Sequence, residues 1–123
     1  MIYAESDFFF AIAKKSDWLK KNAKHFWKKY RGNIVTDSST LIELAMTCHK
    51  YNLSATEVIS SVFQIAHVEG IRLREALEAA HLIEEYNVTP FDSFHAVFAG
   101  ELPILSSDNI YDKLGKERIK LEG

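Results

Sequence analysis

The chain has one cysteine, Cys48, in 123 residues. No intrachain disulfide and no cysteine-based zinc finger can form, which favours a reducing, intracellular setting. Two prolines and five glycines exclude collagen-like and low-complexity chains. Long apolar runs are missing: Phe8 to Ala13 spans six residues, whereas a membrane span needs about 20. Met1 to Asp7 lacks the basic start and apolar stretch of a signal peptide. The expectation is therefore a cytoplasmic protein with no membrane partner. No glycine-rich phosphate loop is present, so nucleoside triphosphate chemistry has no support. Nor is there a repeat, a linker or a low-complexity tract. What remains is 47% hydrophobic and 26% charged, the make-up of an ordinary globular chain, and the length suits a single domain over 1–123.

The net charge of −2 hides an asymmetry. Residues 14–31 carry eight of the fifteen basic residues and one acid, Asp17, leaving +7 there and −9 on the rest. A basic segment on an acidic body suits an anionic partner together with a carboxylate site for cations; an ordinary solvated helix face reads equally well.

Short apolar segments alternate with helical patterns. Ile2-Tyr3-Ala4 reads as a buried strand. Ser16 caps a predicted helix to Tyr30, with Leu19, Ala23, Phe26, Trp27 and Tyr30 on its apolar face and Lys20, Lys24, Lys28 and Arg31 on another. Ile34-Val35 reads as a second strand. A helix begins at Asp37–Thr40, with a core stripe of Leu41, Leu44, Ala45 and Cys48, and ends at Asn52. Ser54–Glu57 is a capping box that opens the next, whose apolar face is Val58, Ile59, Val62, Phe63 and Ala66. His67-Val68-Glu69 is a short candidate strand. Arg72 to Tyr86 is predicted helical, with Leu73, Ala76, Leu77, Ala80 and Ile83 on one side. Thr89-Pro90-Phe91-Asp92 opens a helix that ends at Gly100. Pro103–Ser106 and Ile119–Leu121 read as the last strands. This alternation predicts an α/β fold, a parallel sheet covered on both faces. In such sheets ligands bind beyond the carboxyl ends of the strands, where strand order reverses.

Acids stand at those ends. Glu5 and Asp7 follow the first strand, Glu43 lies one turn into the helix after the second, and Asp108 follows the Ile104 strand. Asp92 begins a helix packed on the same sheet. Each also has a structural reading: Glu43 and Asp92 fit capping boxes, Asp7 can cap a helix and Asp108 can start a turn. Gathered at one edge, however, several carboxylates repel unless a cation sits among them. Mg²⁺ or Mn²⁺, hard ions that prefer oxygen, are the natural occupants.

Ile2–Phe9, Ser38–Leu44, Asp92–Ala96 and Ile104–Asp108, in that order, resemble the PIN-domain family, and the length resembles its free-standing VapC-type toxins. The resemblance implies a three-layer α/β/α sandwich and a Mg²⁺- or Mn²⁺-dependent endoribonuclease acting on single-stranded or structured RNA. It further implies a cytoplasmic homodimer, the toxin of a toxin–antitoxin pair with an antitoxin protein as partner. Glu5, Asp7, Glu43, Asp92 and Asp108 would form the catalytic metal site, with Ser106 beside them at the RNA. Where the family usually carries Asp, this chain has Glu5. Either Glu5 still reaches the metal or orients the attacking water, or Asp7 becomes the principal ligand, or the site is too weak for catalysis. In the last case the chain is a PIN-fold RNA- or protein-binding module.

Lys20, Lys24 and Lys28 are candidate contacts to RNA phosphates, and Trp18 or Trp27 could stack on bases. Trp27, on the apolar face, reads rather as core. His95, one turn from Asp92, is a general base, a hydrogen-bond partner of a neighbouring residue, or a group that orients Asp92. Cys48 reads as core. A haloacid-dehalogenase-like phosphatase also places an acid-x-Asp pair after its first strand, but needs Asp where Glu5 stands.

Overall fold

The computed structural model describes residues 1–123. Five strands, Ile2–Ala4 (β1), Ile34–Asp37 (β2), His67–Glu69 (β3), Ile104–Ser106 (β4) and Arg118–Lys120 (β5), form one sheet in the order β3-β2-β1-β4-β5. Every neighbouring pair is parallel. Seven helices connect them: Ser6–Ala13 (α1), Lys20–Lys29 (α2), Ser38–Cys48 (α3), Ala55–Ile65 (α4), Leu73–Tyr86 (α5), Pro90–Ala99 (α6) and Ile110–Lys113 (α7).

Strand alternation divides the core. Ile2, Ala4, Ile34 and Leu105 face a layer made by α1 to α4, where Phe8, Phe9, Leu19, Ala23, Leu44, Cys48 and Val62 are buried. Tyr3, Val35 and Ile104 face the other layer, with Ala96 and Ala99 of α6 and Tyr111 of α7. The result is a three-layer α/β/α sandwich. Burying a side chain such as Phe8 or Phe9 contributes about 1.5–3 kcal/mol.

Local chemistry explains most element boundaries. Ser54 Oγ accepts from the Glu57 amide at 3.2 Å at the start of α4. Thr89 does the same for Asp92 at 3.2 Å, with Pro90 as the first residue of α6. The chain leaves α6 through Gly100 at φ +56°, a conformation that favours glycine.

Four details depart from the sequence reading. α2 begins at Lys20 rather than after Ser16, because the Asp17 side chain accepts from the Leu19 amide at 2.9 Å and makes a turn there. α3 ends at Cys48, and the chain turns through Asn52 at φ +54°. α7 has no counterpart in the predicted elements. On α5 the buried residue is Ala79, whose carbonyl accepts from the Ser93 hydroxyl at 2.5 Å, while Leu73 is 76% and Leu77 61% exposed. With α5 and α6 that close, Leu73, Leu77 and Ala80 of the predicted apolar face turn outward, while Ala76 and Ile83 stay half-buried. Ala45 and Phe63, also placed in core stripes from sequence, are likewise exposed.

The chain runs outward from β1 to β2 and β3, then returns to the other side of β1 for β4 and β5. Strand order therefore reverses between β1 and β4, and the carboxyl ends of those two strands border a crevice suited to ligands.

Candidate active site

An open pocket of about 430 Å³ lies at this crevice, lined by Glu5, Asp7, Glu43, Asp92 and Asp108 together with Ser107. Fold topology supplies the convergence. Glu5 and Asp7 follow β1, Asp108 follows β4, Glu43 comes from α3 after β2, and Asp92 opens α6. A larger groove of about 710 Å³, lined by Leu77, Leu82 and Tyr86 among others, lies along α5, α6 and α7 and holds none of these five acids.

Asp7 is tied across the switch point. Its Oδ2 accepts from the Ser107 amide at 2.7 Å and also from the Ser107 hydroxyl. Its Oδ1 is buried and has no hydrogen-bond partner. A buried carboxylate oxygen without a donor is costly, and a bound cation is one way to satisfy it.

Glu5 is buried and committed. Its Oε1 caps α1 by accepting from the Asp7 amide at 2.9 Å, and its Oε2 accepts from the Tyr111 hydroxyl at 3.2 Å. Burial pushes the Glu5 carboxyl well above the ordinary carboxylate range, and the charges of Asp7 and Glu43 push it further. Asp92 is raised too, first by burial and then by Asp108 and Glu43, with Thr89 and His95 working the other way. Asp108 is exposed at the rim, where its Oδ1 accepts from the Ile110 amide at 3.0 Å. The capping and turn roles read from sequence thus coexist with the pocket.

Glu43 is aimed by two donors. The Ser6 hydroxyl donates to its Oε1, and so does His95 Nε2 at 2.9 Å. His95 is fully buried. Its Nδ1 stands 2.8 Å from the Tyr3 hydroxyl and 3.8 Å from Asp37 Oδ1, and Tyr3 itself donates to Asp37. Burial opposes a charge on His95, but the hydrogen bonds and charges of Asp37 and Glu43 win and lift it to about 9. Asp37, fully buried, is held below the usual carboxylate range: burial would raise it, and hydrogen bonds with His95, Ser39 and Tyr3 overcome that.

Glu5, Glu43 and His95 each offer an atom within 4.8 Å of the others. A buried imidazolium that donates through Nε2 has no lone pair for a metal, however. The carboxylates are the better donors, and an all-oxygen set suits a hard divalent ion. His95 thus has neither the solvent access nor the protonation state of a general base, and it orients Glu43 rather than Asp92.

Other residues also differ from their sequence-based roles. Ser106 is fully buried; its hydroxyl accepts from the Asp108 amide at 2.9 Å and lies 3.5 Å from Asp7 Oδ2. It braces the pocket from beneath and cannot meet RNA, and Ser107 occupies the pocket wall instead. Lys20 donates to the carbonyl oxygens of Ile12, at 2.8 Å, and Lys14, so its ammonium closes the end of α1. Lys24 and Lys28 are exposed. Trp27 packs against the core edge, whereas Trp18 is 75% exposed. The sequence reading missed Ser6, Tyr3 and Asp37 as supports of the site. Asp37 had a visible signal, being an acid directly after a strand.

No family model matches the chain, and no curated protein matches it in sequence. Solved structures do match in shape. The sarcin–ricin-loop-cleaving toxin VapC20 of Mycobacterium tuberculosis superposes with a TM-score of 0.85 at 13% identity, covering 98% of this chain and 99% of that one. The chain has a VapC-type fold. VapBC2 of Rickettsia felis, bound to a DNA fragment from its promoter, gives 0.73 at 12% identity over 98% of both chains. A toxin–antitoxin complex from Klebsiella pneumoniae gives 0.69 at 13% identity, covering 89% of this chain and 88% of that one. At such identities the likeness is one of fold, the three-layer sandwich that the PIN resemblance implies.

Proposed function

We propose that the chain is a divalent-metal-dependent endoribonuclease of the PIN type, the toxin of a toxin–antitoxin pair. The observation that carries the reading is the partnerless buried oxygen of Asp7, set among four further carboxylates at the strand-order reversal of a VapC-type sheet. Mg²⁺ or Mn²⁺ fits this donor set, held by Asp7, Glu43 and Asp92 with Asp108 at the rim. When bound, the ion supplies Lewis acidity at the phosphoryl group.

The chain's own residues do the rest. Ser107 fixes Asp7 through its Oδ2 and leaves Oδ1 buried without a hydrogen-bond partner. Ser6 and His95 set the rotamer of Glu43. The first turn of α6 presents Asp92 near the positive end of the helix dipole. Glu5, whose carboxyl holds its proton more tightly than an ordinary one and whose two oxygens accept from the Asp7 amide and the Tyr111 hydroxyl, braces the pocket rather than leading the coordination.

The VapC20 likeness supports RNA as substrate, and the Klebsiella complex supports an antitoxin partner. The exposed Leu73 and Leu77 of α5 support a homodimer. No helix is long and apolar enough to cross a membrane. Single-stranded RNA incubated with purified protein should be cut with Mn²⁺ and left intact in EDTA.

The occupied oxygens of Glu5 favour a second reading, a PIN-fold RNA- or protein-binding module with weak or no catalysis. Under it the RNA is bound but survives Mn²⁺.

A further inference from the structure

The acid pocket does not end at its carboxylates. Its outer wall includes Tyr51, and Tyr51 is also the one residue it shares with a neighbouring depression formed with Lys14, Lys15 and Ser16. Lys15 and Ser16 continue into a third depression, which holds Lys21 and Lys24. A continuous path therefore leads from the acids, over one aromatic ring, into the part of the chain that carries +7.

Tyr51 is built to stay in place. It follows α3 in a turn closed by its own amide on Cys48 O at 3.2 Å, by Asn52 N on His49 O at 3.2 Å and by Leu53 N on Cys48 O at 2.9 Å. Phe10 packs beside the ring, centroids 5.5 Å apart, and the Lys14 ammonium stands 3.7 Å from the ring centroid. Tyr51 nevertheless keeps 42% of its surface exposed. Trp18 is more exposed but lines none of the three depressions.

We propose that Tyr51 is a nucleobase platform. A base of single-stranded RNA adjoining the phosphate in the acid pocket stacks on its ring, and Lys15, Lys21 and Lys24 take the phosphates that follow, while Lys14 stays paired with Asp17 at 3.2 Å. Such a link fits the charge arrangement. The carboxylates repel a polyanion and the lysines attract one, so a neutral stacking contact sets the register between them. Stacking tolerates any base because every base has a π face. The proposal rests on the ribonuclease reading and adds the substrate's path and the residue that sets its register.

The test uses short single-stranded RNAs with one 2-aminopurine walked along the strand, titrated in EDTA so that no cleavage occurs. Wild-type protein should quench the fluorophore at one position or a pair of positions. Tyr51→Leu should lose that quench and bind about tenfold more weakly, whereas Tyr51→Trp should keep both. Tyr51→Ser gives the same comparison should Leu disturb the turn. Lys15→Gln with Lys24→Gln should flatten the salt dependence and spare the quench. Tyr86→Leu, on α5, should change nothing. Equal binding and equal quenching by wild type and Tyr51→Leu overturn the platform and leave the ribonuclease reading standing. Absence of RNA binding by wild type, in EDTA and in Mn²⁺ alike, overturns the ribonuclease reading and this proposal with it.

Discussion

Two acidic clusters meet at Glu43, and they solve burial in opposite ways. Behind it, Asp37 is completely buried yet held below the usual carboxylate range, because His95 carries a positive charge beside it and Tyr3 and Ser39 donate to it. In front of it, Glu5 and Asp92 lie among other carboxylates, and both are raised, Asp92 in spite of partial relief from His95. The rear cluster carries its own cation. The front cluster has none, and one of its oxygens has no donor. Burial alone does not separate them; the presence of a counter-charge does. The rear set reads as structure, and the front set is the one proposed above to hold a divalent ion.

Each cluster can be broken separately. The largest effect should come from the front. Asp92→Asn should cut Mn²⁺-dependent RNA cleavage by about a thousandfold or more, since metal stabilisation of the transition state is worth several kcal/mol. Melting in EDTA should stay level or rise, because Asn keeps the local hydrogen bonding and removes one of the repelling charges. A drop in that melting point with cleavage intact would move Asp92 to the structural side.

His95→Ala should reverse the pattern. It leaves Asp37 buried without its cation and should cost about 3–5 kcal/mol of stability in EDTA, read by urea denaturation. His95→Gln keeps a donor near the Nε2 position and should recover Mn²⁺ affinity more than His95→Asn, whose donor falls nearer Nδ1. Equal affinities for the two variants would show that the hydrogen bond to Glu43 does not aim it.

Mn²⁺ at about a hundred times its Kd should stabilise wild type by about 2.7 kcal/mol, roughly ten degrees in melting temperature for a chain of this length. Asp7→Asn should lose most of that gain. An undiminished shift would place the ion elsewhere.

A further effect is in pH. His95 is raised to about 9 in the folded protein, so it contributes stability that is complete below its unfolded value of about 6.5. That contribution fades as pH rises through about 9. Asp37, lowered on folding, contributes above its unfolded value of about 3.9 and loses that contribution as pH falls through its folded value. In EDTA, the alkaline loss should be present in wild type and flattened in His95→Gln, measured by melting between pH 6 and 10.

Much of the fold is legible in the chain. Ile2–Ala4, Ile34-Val35 and Ile104–Ser106 are apolar runs too short for helices, and the capping residues Ser54 and Thr89 mark helix starts on local grounds alone. The carboxylates were legible for the same reason: an acid after a strand is a local signal, and parallel topology gathers such acids at one edge. The helix faces were less legible. Leu73 and Leu77 follow an apolar period, yet which stripe of α5 meets the sheet layer was decided by the close approach of Ala79 to Ser93. Ser106 and Ser107 are adjacent and chemically alike, and only strand alternation puts the first under the pocket and the second on its wall. His95 was visible as a residue but not as the partner of Glu43, 52 positions away.

By itself, the sequence determined the alternation of strands and helices, the acids that follow the strands and the separation of basic from acidic segments, because propensity, capping and charge act over a few neighbouring residues. Only the tertiary structure decided which acids have a counter-charge. That depends on packing Tyr3, Asp37 and His95 from three separate elements into one dry space, while Asp7 is left facing the crevice between β1 and β4. Burial and pairing are properties of the assembled layers, and a one-dimensional pattern carries no distance between residues that meet only after folding.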